Sequence, residues 1–420
     1  MHSLMILFPI FLTLLLSLAA VPILVWLERR VAALIQNRLG PNRCNIKGVR
    51  LGGLVQPIAD MIKLLFKEEF YPKHIKHRFY YLLAPALVFG ASFLSFMVIP
   101  YADDITLDNY TYHIQAIPIE LGILWFIAFA SLGVYGIIIA GWASHNKYSI
   151  LGALRASSQV ISYEIAMGLS IVSMLITYGT ISLNEMVQQQ GELLFGFIPA
   201  WGVVIQPLAA LIFIVTAFAE TNRAPFDAAE GESEIVAGYH TEYSSMKFAL
   251  FFMGEYIAMS ASSALIVTLF FGGYQIPWLN TAALHTHIEP IFIALILIIP
   301  LLSLSFIRWM RRNNSCDLAR RKETFYATIF IAVFVIVIEA FLFYAFFSGL
   351  SFEQNALFVM LLQILSFIIK VFLMNFVFVW VRWTFPRFRY DQTQHLGWKI
   401  LLPLALLNIF ISAIIVVAGV

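Results

Sequence analysis

Long apolar runs alternate along the whole chain with short clusters of polar and charged residues. The runs fall near 4–26, 79–100, 119–141, 158–178, 201–219, 247–271, 290–308, 325–348, 356–381 and 399–419. A run of roughly 17–25 apolar residues is long enough for a helix to cross the hydrocarbon core of a bilayer. The pattern therefore predicts an all-α, polytopic transmembrane helix bundle of about ten spans, with 1–420 forming a single membrane domain. Between the first two spans the period changes. Over 54–69 the polar residues Gln56, Asp60, Lys63 and Lys67 recur at spacings of four, three and four, which is one stripe of a helix. Leu54, Val55, Ile58, Met61, Ile62, Leu64, Leu65 and Phe66 fill the remaining positions. Such a helix lies in the membrane interface with its apolar side in lipid or against protein. It either docks to close the bundle or forms the rim of an entrance for an apolar ligand arriving within the bilayer. Asp60 and Lys63 then face a polar chamber, or pair with each other as helix neighbours.

Composition agrees with the pattern. The chain is 61% hydrophobic and 12% charged, with mean hydropathy +0.85, whereas soluble domains carry about 25% charged residues. Charge also sets sidedness. With the N-terminus outside, the inner loops are 27–78, 142–157, 220–246, 309–324 and 382–398. These loops and the adjoining helix ends hold every one of the 26 Lys and Arg residues except Lys370. The outer loops hold only acids, among them Asp103, Asp104, Glu185 and Glu353. Under the positive-inside rule this predicts a multi-pass protein of the cell inner membrane with its basic loops cytoplasmic. The first run ends at Glu28-Arg29-Arg30 without a cleavage signature and reads as a retained helix. Cys44 and Cys316 both fall on inner loops and make neither a disulfide framework nor an iron–sulfur site.

Acids are concentrated at one span boundary. The stretch 220–247 carries Glu220, Asp227, Glu230, Glu232, Glu234 and Glu242 between two spans, interleaved with Pro225, Phe226, Ile235, Val236 and Tyr239. It is either a solvated surface loop or, given those apolar residues, a packed and protonatable lining. Two further acids lie inside spans: Glu164 and Glu255, each about 10–12 Å in from the inner face at 1.5 Å per residue. Lys370 lies near the middle of the ninth span, and Glu339 falls inside the eighth. A charge at mid-span costs roughly 2.5–3.5 kcal/mol even on the gentler insertion scales, so such residues are candidates for function. Taking a carboxylate out of water favours its protonated form, and groups so poised can pass protons in sequence. The plainer alternative is that they pair, as Glu255 and Lys370 might if their helices meet, and only hold the bundle together. No glycine-rich nucleotide motif and no Walker sequence occurs. The nine histidines lie at loops or span ends, so a membrane haem is not expected and any electrons must arrive from a partner.

Several motifs carry a family resemblance. They are Glu28-Arg29-Arg30, Gln36-Asn37-Arg38-Leu39-Gly40-Pro41-Asn42, Gln56-Pro57-Ile58-Ala59-Asp60, Gly141-Trp142-Ala143-Ser144 and Ser162-Tyr163-Glu164. Glu220 to Asp227 with Arg223, Glu230 to Glu234, Glu242 to Lys247, and Trp380-Val381-Arg382 with Pro386-Arg387 to Gln392 complete the set. In this order, over about 1–280 and 355–420, the chain resembles the H-type membrane subunit of NADH-quinone oxidoreductase, the respiratory complex I. The resemblance implies a quinone-binding subunit of a proton-pumping enzyme, placed where the membrane arm meets the peripheral arm. It implies a quinone chamber built by Arg29, Asp60, Lys63, Glu230, Glu232 and Glu234, with ubiquinone or menaquinone as substrate. It implies a coupling path through Glu164, Glu220 and Glu255, to which Lys370 is added for its depth. No redox centre is expected in this chain, and no metal; the iron–sulfur cluster and flavin belong to partner subunits. Iron–sulfur and quinone-site peripheral subunits, adjacent membrane-arm subunits and the lipid membrane are the implied partners, and nucleic acid is not.

One departure stands out. The family plan has eight spans, so 281–355 reads as an inserted transmembrane hairpin, joined by the basic loop of Arg308, Arg311, Arg312, Arg320, Arg321 and Lys322. Glu339 then has no assignable counterpart. Two rival readings remain: the membrane subunit of an energy-converting hydrogenase-type complex, and a stand-alone secondary transporter. The full acidic stretch and the Gln36 to Asn42 segment argue against the first. The lack of a clear internal repeat argues against the second.

Overall fold

The computed structural model describes residues 2–46, 50–107, 110–194, 196–229, 231, 236–313, 318–349 and 351–418. Its helices are α1 (His2–Ile35), α2 (Val55–Phe66), α3 (Arg78–Phe96), α4 (Gly122–Ala143) and α5 (Lys147–Tyr178). They continue as α6 (Leu183–Gln189), α7 (Gly202–Ile205), α8 (Pro207–Glu220), α9 (Ser245–Phe270) and α10 (Thr281–Thr286). The rest are α11 (Ile288–Asn313), α12 (Leu318–Ser348), α13 (Phe352–Thr384), α14 (Tyr390–His395) and α15 (Leu402–Val417), a π-helical turn at Leu396–Leu401 joining the last two. Two small antiparallel hairpins, Ile105–Leu107 with Tyr110–Tyr112 and Leu193–Leu194 with Ile198–Pro199, decorate the loops and leave the all-α class intact.

Among the described residues, nine helices are long and apolar enough to cross a membrane. The segment expected as the fifth span is instead broken. Pro207 lacks an N–H and opens a new helix where α7 stops. Just before it, a Cβ on Gly202 would sit 2.3 Å from the Leu269 carbonyl oxygen, so only glycine lets α7 press against the end of α9. The 14 residues of α8 make about 21 Å of helix, short of the ~30 Å hydrocarbon core.

Burial divides the bundle. In α9, 72% of the apolar window is buried, and α3, α13 and α1 pack around it. In α11 and α12 the share is 11% each. That pair packs mainly on itself through Phe292, Leu342 and Ala345, with Phe292 stacked on Phe358 of α13 at 4.3 Å. Cys44 is free, while Cys316 lies outside the described residues. The interfacial helix forms over nearly the predicted residues. Ile58, Met61, Ile62, Leu65 and Phe66 of α2 are exposed, and Val55 and Pro57 are buried.

Candidate functional site

The site begins where α1 leaves the core. Glu28 and Arg29 are consecutive, so their side chains diverge by about 100° on the helix. Arg29 turns toward α2, where its Nη2 lies 2.5 Å from Asp60 Oδ2. Gln56, one turn earlier on α2, donates to Asp60 Oδ1 at 3.1 Å. Both partners of the pair remain partly open, at 43% and 34% side-chain exposure. Asp60 therefore pairs with Arg29 and not with its helix neighbour Lys63, which is exposed.

Glu28 turns the other way. Its Oε1 meets Arg382 of α13 at 2.7 Å, and its Oε2 lies 3.8 Å from Arg223. The Tyr256 hydroxyl donates to Oε2 at 2.6 Å. Arg223, its side chain only 5% exposed, reaches on to Glu255 at 3.6 Å and sits 4.2 Å over the Tyr256 ring. Glu255 also accepts from the Tyr239 hydroxyl at 2.8 Å. Two carboxylates and two guanidiniums thus share one buried cluster, drawn from α1, α9, α13 and the 220–229 stretch. Such clusters persist because each charge has partners; isolated, any one of them carries a desolvation cost of several kcal/mol.

The 220–229 stretch is packed. Gln159 of α5 donates to the Ala219 and Phe226 carbonyls at 2.9 and 2.8 Å. The Phe388 amide donates to Pro225 O at 3.0 Å, and Arg387 pairs with Asp227. The Ala224–Pro225 peptide is cis. Of the acids expected to line a chamber, Glu230, Glu232 and Glu234 lie outside the described residues. Glu242 accepts from Asn146 at 2.7 Å, and Tyr243 beside it stacks on Tyr81 at 4.2 Å. Burial, reinforced by Tyr81, pushes the Tyr243 phenol well above its usual range.

Beyond Arg223 a cavity of about 60 Å³ opens between α3, α4, α5 and α9. Glu220, Asn222 and Glu255 line it, with the hydroxyls of Ser92, Ser95 and Ser262. Its volume exceeds the ~15 Å³ that one water needs. Glu164 of α5 is close enough to Glu220 for the two carboxyls to feel each other's charge, and Ser131 of α4 lies beside Glu164. Glu164 Oε1 and Glu220 Oε2 are both buried and make no hydrogen bond within the chain.

Lys370 lies elsewhere. Its Nζ donates to the carbonyls of Phe271, Gly273 and Gln275 at 2.8, 3.0 and 2.6 Å, and it sits 5.0 Å from the Trp201 ring centroid. It caps the C-terminal end of α9, where carbonyls lack helical partners and the helix dipole favours a cation. Glu255 is 15 residues before Phe270, some 22 Å back along that helix. The pairing of Glu255 with Lys370 considered from depth alone does not form. Arg38 donates to Gln36 at 2.6 Å on an exposed turn. Glu339 is half-buried on α12, and its Oε1 makes no hydrogen bond within the chain. Among the described residues, no group of three His, Cys, Asp or Glu is placed to hold a metal ion.

Sequence reasoning passed over Tyr239, Tyr256 and Gln159. Gln159 carried a signal, a polar residue inside an apolar run two turns from Glu164. The tyrosines carried none that separates them from other aromatics at span ends.

Residues 8–316 and 323–413, a range that takes in every residue of the buried cluster, match the NADH dehydrogenase family. The chain belongs to that family. Its curated relatives are named as the H-type subunit of NADH-quinone oxidoreductase. One from Flavobacterium psychrophilum is 40% identical over 389 residues, covering 93% of this chain and 90% of that protein. Another from Bdellovibrio bacteriovorus is 42% identical over 424 residues, covering 96% and 93%. A third, from Solibacter usitatus, is 41% identical over 393 residues, covering 94% and 92%. The family match runs through α11 and most of α12, omitting only 317–322 between 8 and 413.

Proposed function

We propose that this subunit, acting within an NADH-quinone oxidoreductase of the inner membrane with its basic loops cytoplasmic, forms the quinone chamber and its entrance. We further propose that it couples quinone reduction to proton translocation. The observation that carries the reading is a continuous line of charge in a member of this family. It runs from Asp60 and Arg29 at the interfacial helix, through Glu28, Arg223 and Glu255, to the cavity shared with Glu220 and Glu164.

Electrons come from an iron–sulfur cluster held by a partner subunit, and a flavin elsewhere in the complex accepts them from NADH. Reduction of a quinone to quinol consumes two electrons and two protons. A headgroup beside α2 meets the half-open Asp60–Arg29 pair, while its apolar tail lies along the exposed Ile58, Met61, Ile62 and Leu65. A change of charge there acts on Glu28 through the adjacent Arg29. Arg223 bridges Glu28 and Glu255, so a shift of the guanidinium toward one carboxylate weakens its hold on the other. Glu255 faces the cavity, and water in it links that carboxyl to Glu220. Lys370 has no place in this path; its contacts are those of a helix cap.

The deciding experiment is Asp60→Ala in the assembled membrane complex, with electron transfer assayed to a soluble acceptor and to quinone in parallel. Intact acceptor reduction with quinone reduction lowered at least tenfold is expected. Both rates surviving with normal assembly would overturn the chamber reading.

A further inference from the structure

The interfacial helix α2 is held at three points of unequal kind. At its C-terminal end Ser245, the first residue of α9, donates to the carbonyls of Leu64 and Lys67, at 3.1 and 2.9 Å. In its middle, Asp60 meets Arg29. Both ties run to the buried bundle. The N-terminal end is different. It begins at a turn in which Leu51, Gly52 and Gly53 all take positive φ, at 46°, 64° and 95°, a conformation that costs a side-chain-bearing residue energy. A Cβ on Gly53 would lie 2.5 Å from the Pro41 carbonyl oxygen, so the turn is also pressed against the chain before it. Trp26 and Arg30 of α1 both donate to the Gly52 carbonyl, with Trp26 Nε1 at 3.1 Å. From the far side, Glu323 of α12 takes the Arg50 amide at 3.0 Å and lies 3.7 Å from the Arg50 Nε. Glu323 is 14% exposed, against the mostly lipid-facing character of its helix.

We propose that Glu323 is a positioning residue for the quinone entrance. Through Arg50 it ties the α11–α12 hairpin to the turn that sets where α2 starts, and so fixes α2 against α1. The hairpin acts as an outrigger, braced on α13 by Phe292 and Phe358 near one end and on the Arg50 turn near the other. The ligand in question is an apolar-tailed quinone, so the inference rests on the chamber reading above.

The test uses Glu323→Ala and Glu323→Gln in the assembled complex. Glu323→Ala removes the acceptor for the Arg50 amide; Glu323→Gln keeps one. For Glu323→Ala we expect faster hydrogen exchange at the amides of 50–53. We also expect a KM for a long-tailed quinone raised about three- to tenfold, with kcat and soluble-acceptor reduction unchanged. Glu323→Gln returns both readouts most of the way. Unchanged exchange at 50–53 in Glu323→Ala overturns the tie. Faster exchange with an unchanged KM overturns the positioning role. The Asp60→Ala assay judges the chamber reading separately, since it does not depend on the hairpin.

Discussion

Two helices of this protein each carry a glutamate deep in an apolar run, and they treat it in opposite ways. On α9, with 72% of its window buried, Glu255 meets Arg223 and the Tyr239 hydroxyl and lines a cavity. On α12, with 11% buried, Glu339 is half-buried, with an oxygen that makes no hydrogen bond within the chain. Depth along a span, which is all that a hydropathy pattern offers, ranks these acids as equals. The surroundings separate them: four elements converge on the first, and a single hairpin carries the second.

The sharpest way to break this comparison is to remove the residue on which the buried cluster turns. Arg223→Ala takes a guanidinium from Glu28 and Glu255 together and removes the cation from the Tyr256 ring. Stripping one partner from a buried pair costs about 3–5 kcal/mol, comparable with the whole stability of a small domain. The expected outcome is little or no assembled complex in the membrane, read by native electrophoresis. Normal assembly would show that the cluster is not what joins α1, α9 and α13.

Next comes Glu220→Gln, which preserves shape and leaves the Arg223 cluster untouched. Assembly and electron transfer to a soluble acceptor are expected to persist, while protons moved per NADH oxidised in sealed vesicles fall by more than half. An unchanged ratio removes Glu220, and with it the cavity, from the coupling path.

How far the sequence carried this picture depended on the kind of information needed. Spans, the interfacial stripe and the acidic boundary are local patterns of period and composition, and α2 starts and stops within a few residues of its predicted ends. The joints between elements are another matter. Arg223 meets Glu28, about 195 positions away, through a fold-level register that no local period encodes. Glu255 and Lys370 both lie deep in their spans, and the idea that they pair failed because α9 and α13 meet with those residues at different heights. The fifth span failed locally, at Gly202 and Pro207, because its hydropathy resembles that of a continuous helix. Gln159 was legible and overlooked, since attention to charge passes over a neutral amide that satisfies two backbone carbonyls.

Lys370→Met separates a cap from a coupling residue. The substitution leaves three carbonyls at the end of α9 without their donor, at a cost of about 1–3 kcal/mol. A lower thermal midpoint of the complex is expected, with the proton ratio of the surviving enzyme unchanged. A lost ratio at normal stability would return Lys370 to the coupling path.

The smallest effect belongs to the other half of the comparison. Glu339→Leu removes an acid from a helix whose neighbours Ile336, Val337 and Phe343 are all exposed. If no group outside this chain reaches Glu339, the substitution exchanges a polar side chain that membrane placement disfavours for one that lipid accepts. Assembly should then equal or exceed that of the parent, with quinone reduction and proton ratio within about 20% of it, since surface changes away from special contacts usually stay within ±0.5 kcal/mol. A drop of half or more in any of these would mean that an element outside this chain pairs with Glu339. The hairpin would then be a working contact of the membrane arm, and exposure within a single subunit would be a poor guide to which buried acids matter.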